Sequence, residues 1–344
     1  MKYTTLPNTD IKVSKICLGT MTFGNQNTEK EAHQQMDYAL TEGVNFFDTA
    51  EMYAVPPSAA TQGKTEEYIG SWFAKNGKRD DVVLATKIAG PSRGMDWIRE
   101  DLSFSKTSLT DALHTSLKRL QTDYVDLYQL HWPERNVNVF GQRNYKHDSS
   151  EQWQDNFEEV LQVLDGFIKD GKVRQVGLSN ETPYGTMKFL EAAKKGLPRM
   201  QTVQNSYNLL TRSYEIGMSE VSHRENIGLL AYSPLAFGTL SGKYINDPKA
   251  VGRVSLFSRY SRYSSEQSTN AIRKYQELAN HFNLSLTHLA LAFVNHQPFV
   301  TSNIIGATTM AQLKENIASI DIELSPEILD AINNIHDVIP NPAP

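Results

Sequence analysis

The sequence predicts an α/β fold, a closed (β/α)8 barrel of the TIM type with an N-terminal β-hairpin and long loops over its C-terminal mouth. Eight short apolar segments alternate with segments of helical periodicity, which indicates parallel strands joined by right-handed crossovers. The length of 344 residues suits one such barrel with insertions. Polar residues follow nearly every predicted strand, whereas an open doubly wound sheet would concentrate them at one switch point. No G-x-G-x-x-G follows the first strand, where a Rossmann fingerprint would lie.

The first half of the chain contains the hairpin and four of the strands. Residues 1–14 alternate weakly around the turn Pro7-Asn8-Thr9-Asp10, which predicts the hairpin. Strands are predicted over 15–19, 44–48, 82–86 and 124–130. Helices are predicted over 29–42 with Gly43 as the C-cap, over 65–75, and from Ser108 onward with Asp111 in a near capping box. The buried face of this last helix is expected to consist of Leu109, Ala112, Leu113, Leu117 and Leu120.

The second half repeats the alternation of strands and helices. Strands are predicted over 173–178, 202–205, 228–234 and 304–306. Helices are predicted over 153–169, 183–195, 213–223, 270–282, 285–295, 310–319 and 326–336. Long irregular stretches at 88–107, 132–150 and 236–265 all follow strands, so we expect them to lie over the same mouth. No segment has the composition of a linker, and residues 1–344 are therefore expected to form a single domain.

The composition excludes several classes of protein. Hydrophobic residues make up 40% and charged residues 21%, which is typical of a globular chain. A net charge of −5 argues against general affinity for nucleic acid or for an anionic membrane. No apolar run is long enough to span a membrane, and the N-terminus lacks the apolar run of a signal peptide, so we expect a soluble cytoplasmic protein. The one cysteine, Cys17, lies in an apolar run and is expected to be a buried, inert packing residue.

Polar side chains end three successive predicted strands. The stretch VNFFDTAEMY ends its strand at Asp48, with Tyr53 five residues later. The strand VVLAT is followed by Lys87, and the strand in YVDLYQLHW is followed by His131. Because neighbouring strands are about 4.8 Å apart, the ends of three strands span only about 10 Å. We therefore expect these four side chains to converge.

Such a set has a chemical purpose. A tyrosine is a poor acid at neutral pH, and we expect the Lys87 ammonium to lower the pKa of Tyr53 while Asp48 keeps the lysine charged. Tyr53 then donates a proton, and His131 directs a carbonyl oxygen. Each residue alone has a simpler explanation. Asp48 and Lys87 could form a structural ion pair, His131 could be a partly buried histidine with its hydrogen bonds made inside the protein, and Tyr53 could serve in packing. The set reduces a C=O bond only with a reductant, which predicts a hydride-carrying cofactor.

The order of the motifs is similar to that of the aldo-keto reductase superfamily, in the branch of bacterial reductases and potassium-channel β subunits. The resemblance covers essentially the whole chain and is carried by LGTMTFG, FFDTAEMY, LATK, LYQLHWP, VGLSN, QNSYN, AYSPLAFGTLSGKY and IIGATTMAQLKEN. It implies a barrel that binds NADPH across its mouth without a Rossmann fold. It also implies a catalytic tetrad of Asp48, Tyr53, Lys87 and His131.

The resemblance further implies a set of cofactor-binding residues. Ser179, Asn180, Gln204 and Tyr232 match the family residues that contact the nicotinamide, and Thr20 and Met21 lie beside them. Related members often have tryptophan at the position of Met21. The loop that wraps the pyrophosphate matches Ser233, Leu235, Phe237 and Lys243. The adenosine end matches Gly306, Thr308, Gln312, Glu315 and Asn316, the last three at one helical face.

Two details of this cofactor site stay open from the sequence. Arg253 or Arg259 is expected to close over the 2′-phosphate or the adenine, with Arg253 preferred. These arginines and Arg262 also fit an ordinary solvated loop. Thr309 suits a phosphate at a helix N-terminus, and it equally suits a plain helix cap.

The sequence thus predicts an NADPH-dependent reductase of small-molecule aldehydes or ketones. In this superfamily, members that reduce a conjugated C=C bond resemble this tetrad but carry glutamate in place of the histidine, so His131 implies reduction of the carbonyl instead. The rival hypothesis is a redox-sensing module similar to channel β subunits, which act mainly through a partner. The hairpin begins almost at Met1, and the expected lack of a partner-specific N-terminal segment favours the enzyme. The substrate and the oligomeric state are not readable from the sequence.

Overall fold

Eight parallel strands close a barrel at the centre of the computed structural model, which describes residues 1–247 and 249–343. Positions 248 and 344 of the expected domain, the first of them in the expected loop 236–265, lie outside the described residues. The chain begins with an antiparallel hairpin of β1 (Tyr3–Thr5) and β2 (Lys12–Ser14). The barrel strands β3 to β10 are Ile16–Gly19, Phe46–Asp48, Val83–Ile88, Val125–Leu130, Val173–Ser179, Met200–Ser206, Gly228–Tyr232 and Val300–Ile305. Each pairs with the next and β10 closes on β3, which confirms the predicted (β/α)8 barrel.

Helices surround the barrel and cover its outer surface. In chain order, α1 to α12 are Glu29–Thr41, Lys64–Asn76, Lys106–Leu120, Phe157–Lys169, Pro183–Ala193, Met218–Glu225, Lys243–Asn246, Arg253–Leu256, Glu266–His281, Leu286–His296, Met310–Ala318 and Pro326–Val338. The predicted apolar stripe of α3 is buried along its whole length, as expected for a helix packed on a sheet. None of the helices in the described ranges is long and apolar enough to cross a membrane.

The hairpin closes the amino-terminal end of the barrel. Leu6 and Val13 are fully buried and pack in one cluster with Phe46 and Leu230 from inside the barrel. Cys17 belongs to the same cluster, and burial raises the pKa of its thiol well above the usual value. The prediction of an inert, buried cysteine is therefore confirmed, and the opposite end of the barrel is left for polar groups.

Several element boundaries differ from the prediction for local reasons. Helix α3 begins at Lys106 and not at Ser108, because the Ser105 side chain accepts a hydrogen bond from the backbone of Ser108. Helix α9 likewise begins at Glu266 instead of residue 270, with Ser265 as its N-cap. Helix α4 begins at Phe157 instead of residue 153.

The last strand is longer than predicted. It covers Val300–Ile305, whereas the sequence suggested 304–306, because the polar run Thr301-Ser302-Asn303 obscured its first half. Those side chains are buried, and two of them donate hydrogen bonds inside the protein: Ser302 donates to the carbonyl of Ser14, and Asn303 donates to the Asn295 side chain. The helix expected at 213–223 is interrupted at Gly217, and the loop expected at 236–265 contains the short helices α7 and α8.

Candidate active site

An ion pair between the ends of two neighbouring strands lies at the base of the mouth. Asp48 ends β4, and Lys87 lies near the end of β5. The Lys87 Nζ is 2.7 Å from the Asp48 Oδ2 and donates a second hydrogen bond of 2.7 Å to the carbonyl of Thr49. The two side chains are 0% and 3% exposed, so solvent does not screen the pair. The two predicted strand ends therefore meet as one buried charged unit.

Tyr53 and His131 lie directly in front of this ion pair. The Tyr53 hydroxyl is 3.4 Å from the Lys87 Nζ. The Tyr53 and His131 rings meet edge to face, with their centroids 5.9 Å apart and their planes at 76°. The Tyr53 loop is held by backbone hydrogen bonds from Tyr53 to Ala50 and from Gly63 to Tyr53. The four side chains that the sequence singled out thus occupy one place.

The pKa of the tyrosine differs from the sequence-based expectation. Burial raises the pKa of Tyr53 above its usual value, and the nearby Asp48 carboxylate adds to this, so the lowering effect of Lys87 is outweighed. The expectation of a lowered tyrosine pKa is therefore wrong. Burial alone would lower the pKa of Lys87, but Asp48 and Tyr53 together raise it. At neutral pH the site holds a protonated phenol beside a charged ammonium.

His131 is held in its neutral form. Burial, and secondarily the charge of Lys87, hold the pKa of the imidazole well below its usual range. Its backbone N–H donates to the carbonyl of Ile88, which fixes the strand end. The buried Nδ1 makes no hydrogen bond with any of the residues that the structure describes. A neutral imidazole at this position can donate a hydrogen bond to a ligand, or accept one from it, without adding a charge to the site.

Two glutamines inside the barrel support the carboxylate of Asp48. Its Oδ1 accepts hydrogen bonds from Gln204, at 2.8 Å, and from Gln129, at 3.2 Å. The same Gln204 nitrogen is 3.1 Å from the Gln129 Oε1. Sequence reasoning missed Gln129, although it stands two residues before His131 and therefore points to the same face of the strand. A polar residue within the largely apolar run YVDLYQLHW was the available signal.

The residues assigned to the nicotinamide end are joined to these groups by hydrogen bonds. Asn180 donates to the carbonyl of His131 at 2.8 Å and accepts from the Tyr232 hydroxyl at 2.7 Å. Ser179 donates to the carbonyl of Gln204 at 2.9 Å. Thr20 donates to the carbonyl of Asp48 at 2.8 Å. The side chains that end β4, β6, β7, β8 and β9 consequently form one continuous network.

A cleft of about 510 Å³ runs across the mouth of the barrel. Asp48, Tyr53 and His131 line it, whereas Lys87 lies fully buried behind Tyr53. The cofactor-binding residues predicted from the sequence also line it, namely Thr20, Met21, Ser179, Asn180, Gln204, Tyr232, Ser233, Leu235, Phe237, Lys243, Arg253, Gly306, Thr308, Gln312, Glu315 and Asn316. Residues from both halves of the chain therefore converge on one cleft, whose volume suits a small-molecule ligand.

Two cations lie where the cleft meets the loop after β9. Arg253 packs over the rings of Phe237, at 5.3 Å, and Tyr260, at 5.7 Å. Lys243 donates a hydrogen bond to the carbonyl of Val251. Burial lowers the pKa of both side chains, and no carboxylate among the described residues lies within 4.0 Å of either. Arg259, the alternative to Arg253, also lines the cleft, so both arginines remain available to an anion.

The opposite end of the cleft is formed by the start of α11. Thr309 caps this helix by accepting a hydrogen bond from the backbone of Gln312, as one of the two sequence-based interpretations expected. The Gln312 side chain accepts from the backbone and the hydroxyl of Thr308. Asn316 donates to the carbonyl of Gly306, and Glu315 accepts from Ser285. This end therefore offers amide, hydroxyl and carboxylate groups.

The remaining wall of the cleft comes from loops for which the sequence named no individual residues. It includes Met52, Arg93, Met95, Trp132, Phe140 and Tyr260. Met52, Met95 and Trp132 belong to one apolar cluster with Tyr53. Irregular loops have no periodicity from which an inward-facing side can be read, so these residues escaped sequence analysis. In the described part of the chain, no group of three or more metal-ligating side chains is assembled.

Comparison with known proteins gives matches along nearly the whole chain. The family model described as "Aldo/keto reductase family" matches residues 15–337. Protein tas of Escherichia coli (strain K12) is 49% identical over 352 aligned residues, with 100% of both chains covered. The uncharacterized oxidoreductase YrpG of Bacillus subtilis (strain 168) is 34% identical, with 99% of this chain and 97% of the relative covered. A probable voltage-gated potassium channel subunit beta of Oryza sativa subsp. japonica is 30% identical, with 97% and 96% covered.

Proposed function

Because this chain belongs to the aldo/keto reductase family, a class of oxidoreductases, we propose that it reduces aldehyde or ketone carbonyls to alcohols with NADPH. The observation that carries the proposal is the position of the Tyr53 hydroxyl, 3.4 Å from the Lys87 ammonium and beside His131 at the wall of an open cleft. A carbonyl oxygen at this wall meets a proton donor and a neutral hydrogen-bonding imidazole together. We also propose that residues 1–344 act as one domain, which the match over 15–337 supports.

Tyr53 is the proton donor in this proposal. Its raised pKa keeps the phenol protonated at neutral pH, so the proton is present when an oxygen approaches. As the proton leaves, negative charge develops on the phenolic oxygen. The Lys87 ammonium beside it stabilises that charge, and Asp48 holds the ammonium in place through the 2.7 Å contact. Positioned proton transfer of this kind contributes roughly 10²–10⁴-fold to a rate.

His131 orients the carbonyl group. A neutral imidazole next to the charged Lys87 adds no repulsion, and it occupies the space beside the Tyr53 ring. The Asn180 side chain anchors the backbone carbonyl of His131. The imidazole also packs against the Tyr53 and Trp132 rings, so it limits how a substrate can lie against Tyr53.

The residues of the cleft fit an anionic dinucleotide. When bound, NADPH supplies the hydride that carbonyl reduction requires. Lys243 and Arg253 are half-buried cations that no carboxylate in the described ranges neutralises, and they suit phosphate oxygens. The start of α11 with Thr308 suits a 2′-phosphate. Amide groups of Asn180 and Gln204 suit the carboxamide, and Tyr232 suits the face of the nicotinamide ring.

The direct test is oxidation of NADPH followed at steady state with a panel of small aldehydes. We expect turnover over many cycles with NADPH, and weaker binding of NADH. The rival function is a redox-sensing module, which is suggested by the similarity to a probable channel subunit beta. Such a module would bind NADPH and oxidise it at most slowly. Tight binding of NADPH without turnover of any aldehyde in the panel would therefore favour the rival.

A further inference from the structure

Positive charge is concentrated on the wall of the cleft, although the chain as a whole carries a net charge of −5. The cationic residues of the wall are Arg93, Lys243, Arg253, Arg259 and Arg262. In the described part of the protein, none of these five lies within 4.0 Å of a carboxylate. The two carboxylates of the wall are already engaged, Asp48 with Lys87 and Glu315 with Ser285. The part of the cleft wall formed by the loops after β5 and β9 therefore attracts anions.

Arg93 comes from a different loop than the cations that we assign to the cofactor. It belongs to the loop after β5, whereas Lys243, Arg253 and Arg259 belong to the loop after β9. The Arg93 guanidinium packs over the Phe140 ring at 4.9 Å. Phe140 meets Trp132 at 6.0 Å, and Trp132 meets the His131 ring at 5.0 Å. A continuous series of contacts thus connects Arg93 to the proposed catalytic groups on the substrate side.

The surface between Arg93 and Tyr53 is apolar and well held. Met52, Met95 and Trp132 are each at least nine-tenths buried and pack with Tyr53. The Trp132 indole donates a hydrogen bond of 2.9 Å to the carbonyl of Pro91, which fixes the backbone two residues before Arg93. The Arg93 side chain itself is exposed at the rim. The cleft therefore presents an apolar wall that ends in an accessible guanidinium.

We propose that Arg93 binds an anionic group of the substrate, so that the preferred substrates are aldehydes or ketones with a carboxylate at the end remote from the carbonyl. This inference rests on the proposed carbonyl reduction and adds the class of substrate. A guanidinium binds a carboxylate through two parallel hydrogen bonds, which also fixes the orientation of the bound molecule. With the carboxylate at Arg93 and an apolar body against Trp132, the carbonyl end is directed toward Tyr53 and His131.

The test compares substrates that differ only in charge. We measure kcat/KM with NADPH for 4-carboxybenzaldehyde and for its neutral methyl ester. We expect the wild-type enzyme to prefer the acid by about tenfold or more, the range of a single charge-assisted contact at a partly exposed site. Arg93→Gln should lower kcat/KM for the acid by about tenfold, mainly through KM, and leave the ester within about twofold. Arg93→Lys keeps the charge but loses the paired N–H groups of the guanidinium. Its kcat/KM for the acid should lie between the values of the wild-type enzyme and Arg93→Gln.

The matched control is Arg273→Gln, which removes an exposed arginine from α9 that does not line the cleft. This substitution should leave kcat/KM unchanged for both the acid and the ester. Equal kcat/KM for acid and ester in the wild-type enzyme, or equal effects of Arg93→Gln on both, would overturn the role of Arg93 and leave carbonyl reduction standing. Preference for 4-formylphenyl phosphate over the carboxylate would overturn the carboxylate assignment. Turnover of none of the three compounds would count against both proposals.

Discussion

Replacing Lys87 with methionine should destabilise the protein strongly, because it leaves a buried carboxylate without its cation. The Lys87 Nζ and the Asp48 Oδ2 are 2.7 Å apart, and the two side chains are 0% and 3% exposed. Removal of one partner from a buried ion pair costs about 3–5 kcal/mol. Gln204 and Gln129 still donate to the other carboxylate oxygen, which should place the loss near the lower end, about 3 kcal/mol.

The assay is urea unfolding of the wild-type protein, Lys87→Met, Asp48→Asn and the double variant. The double variant should lose less free energy of unfolding than the sum of the two single variants, because neither charge is left unpaired. The matched control is Arg224→Met, which breaks an exposed ion pair with Glu220 whose side chains are 75% and 67% exposed. Such a surface pair is worth at most about 1 kcal/mol. A loss in Lys87→Met no larger than the loss in Arg224→Met would refute this reasoning.

Three further predictions concern the proton donor, the cofactor and pH. Tyr53→Phe removes only a hydroxyl, so fold and NADPH binding should persist while turnover falls by roughly 10²–10⁴-fold; undiminished turnover would identify another acid. Arg253→Ala should narrow the preference for NADPH over NADH in a fluorescence titration, and equal affinities in the wild-type protein would contradict the phosphate role. The pKa of His131 is lowered in the folded state, so below pH about 6.5 the unfolded chain takes up a proton that the folded protein refuses. The free energy of unfolding should therefore decrease as the pH is lowered through this range, by up to about 1.4 kcal/mol per pH unit, and it should decrease less in His131→Gln. The same dependence of unfolding free energy on pH in the two proteins would contradict this prediction.

Sequence analysis found the barrel and its polar strand ends because both follow from simple periodicities. In a parallel barrel the side chains alternate between inside and outside, so a polar residue at the carboxyl end of an apolar strand faces the mouth. This reasoning was enough to bring Asp48, Lys87 and His131 to one place. It was weaker where a strand itself is polar, as in Thr301-Ser302-Asn303 of β10, where Ser302 donates to the carbonyl of Ser14 at the other end of the chain.

Other features depend on three-dimensional surroundings that no local pattern records. The pKa of Tyr53 is raised because burial outweighs the neighbouring ammonium, and burial of a loop residue is not readable from its sequence. Gln129 supports Asp48 from an adjacent region of the barrel, eighty-one positions away along the chain. Arg93 reaches the cleft from an irregular loop, where the direction of a side chain is set by contacts such as that with Phe140.

The most direct test of the proposed reaction follows a labelled hydrogen into the product. We propose incubation of cinnamaldehyde with the enzyme and NADPH that carries two deuterium atoms at the nicotinamide C4, with the product analysed by NMR. The neutral His131 imidazole occupies the space beside Tyr53 and should hold the carbonyl carbon, not the alkene, at the reacting position. We expect cinnamyl alcohol with deuterium on the carbon that bears the hydroxyl and with the alkene intact. A saturated aldehyde with deuterium on the β-carbon, or no transfer of deuterium at all, would contradict the account.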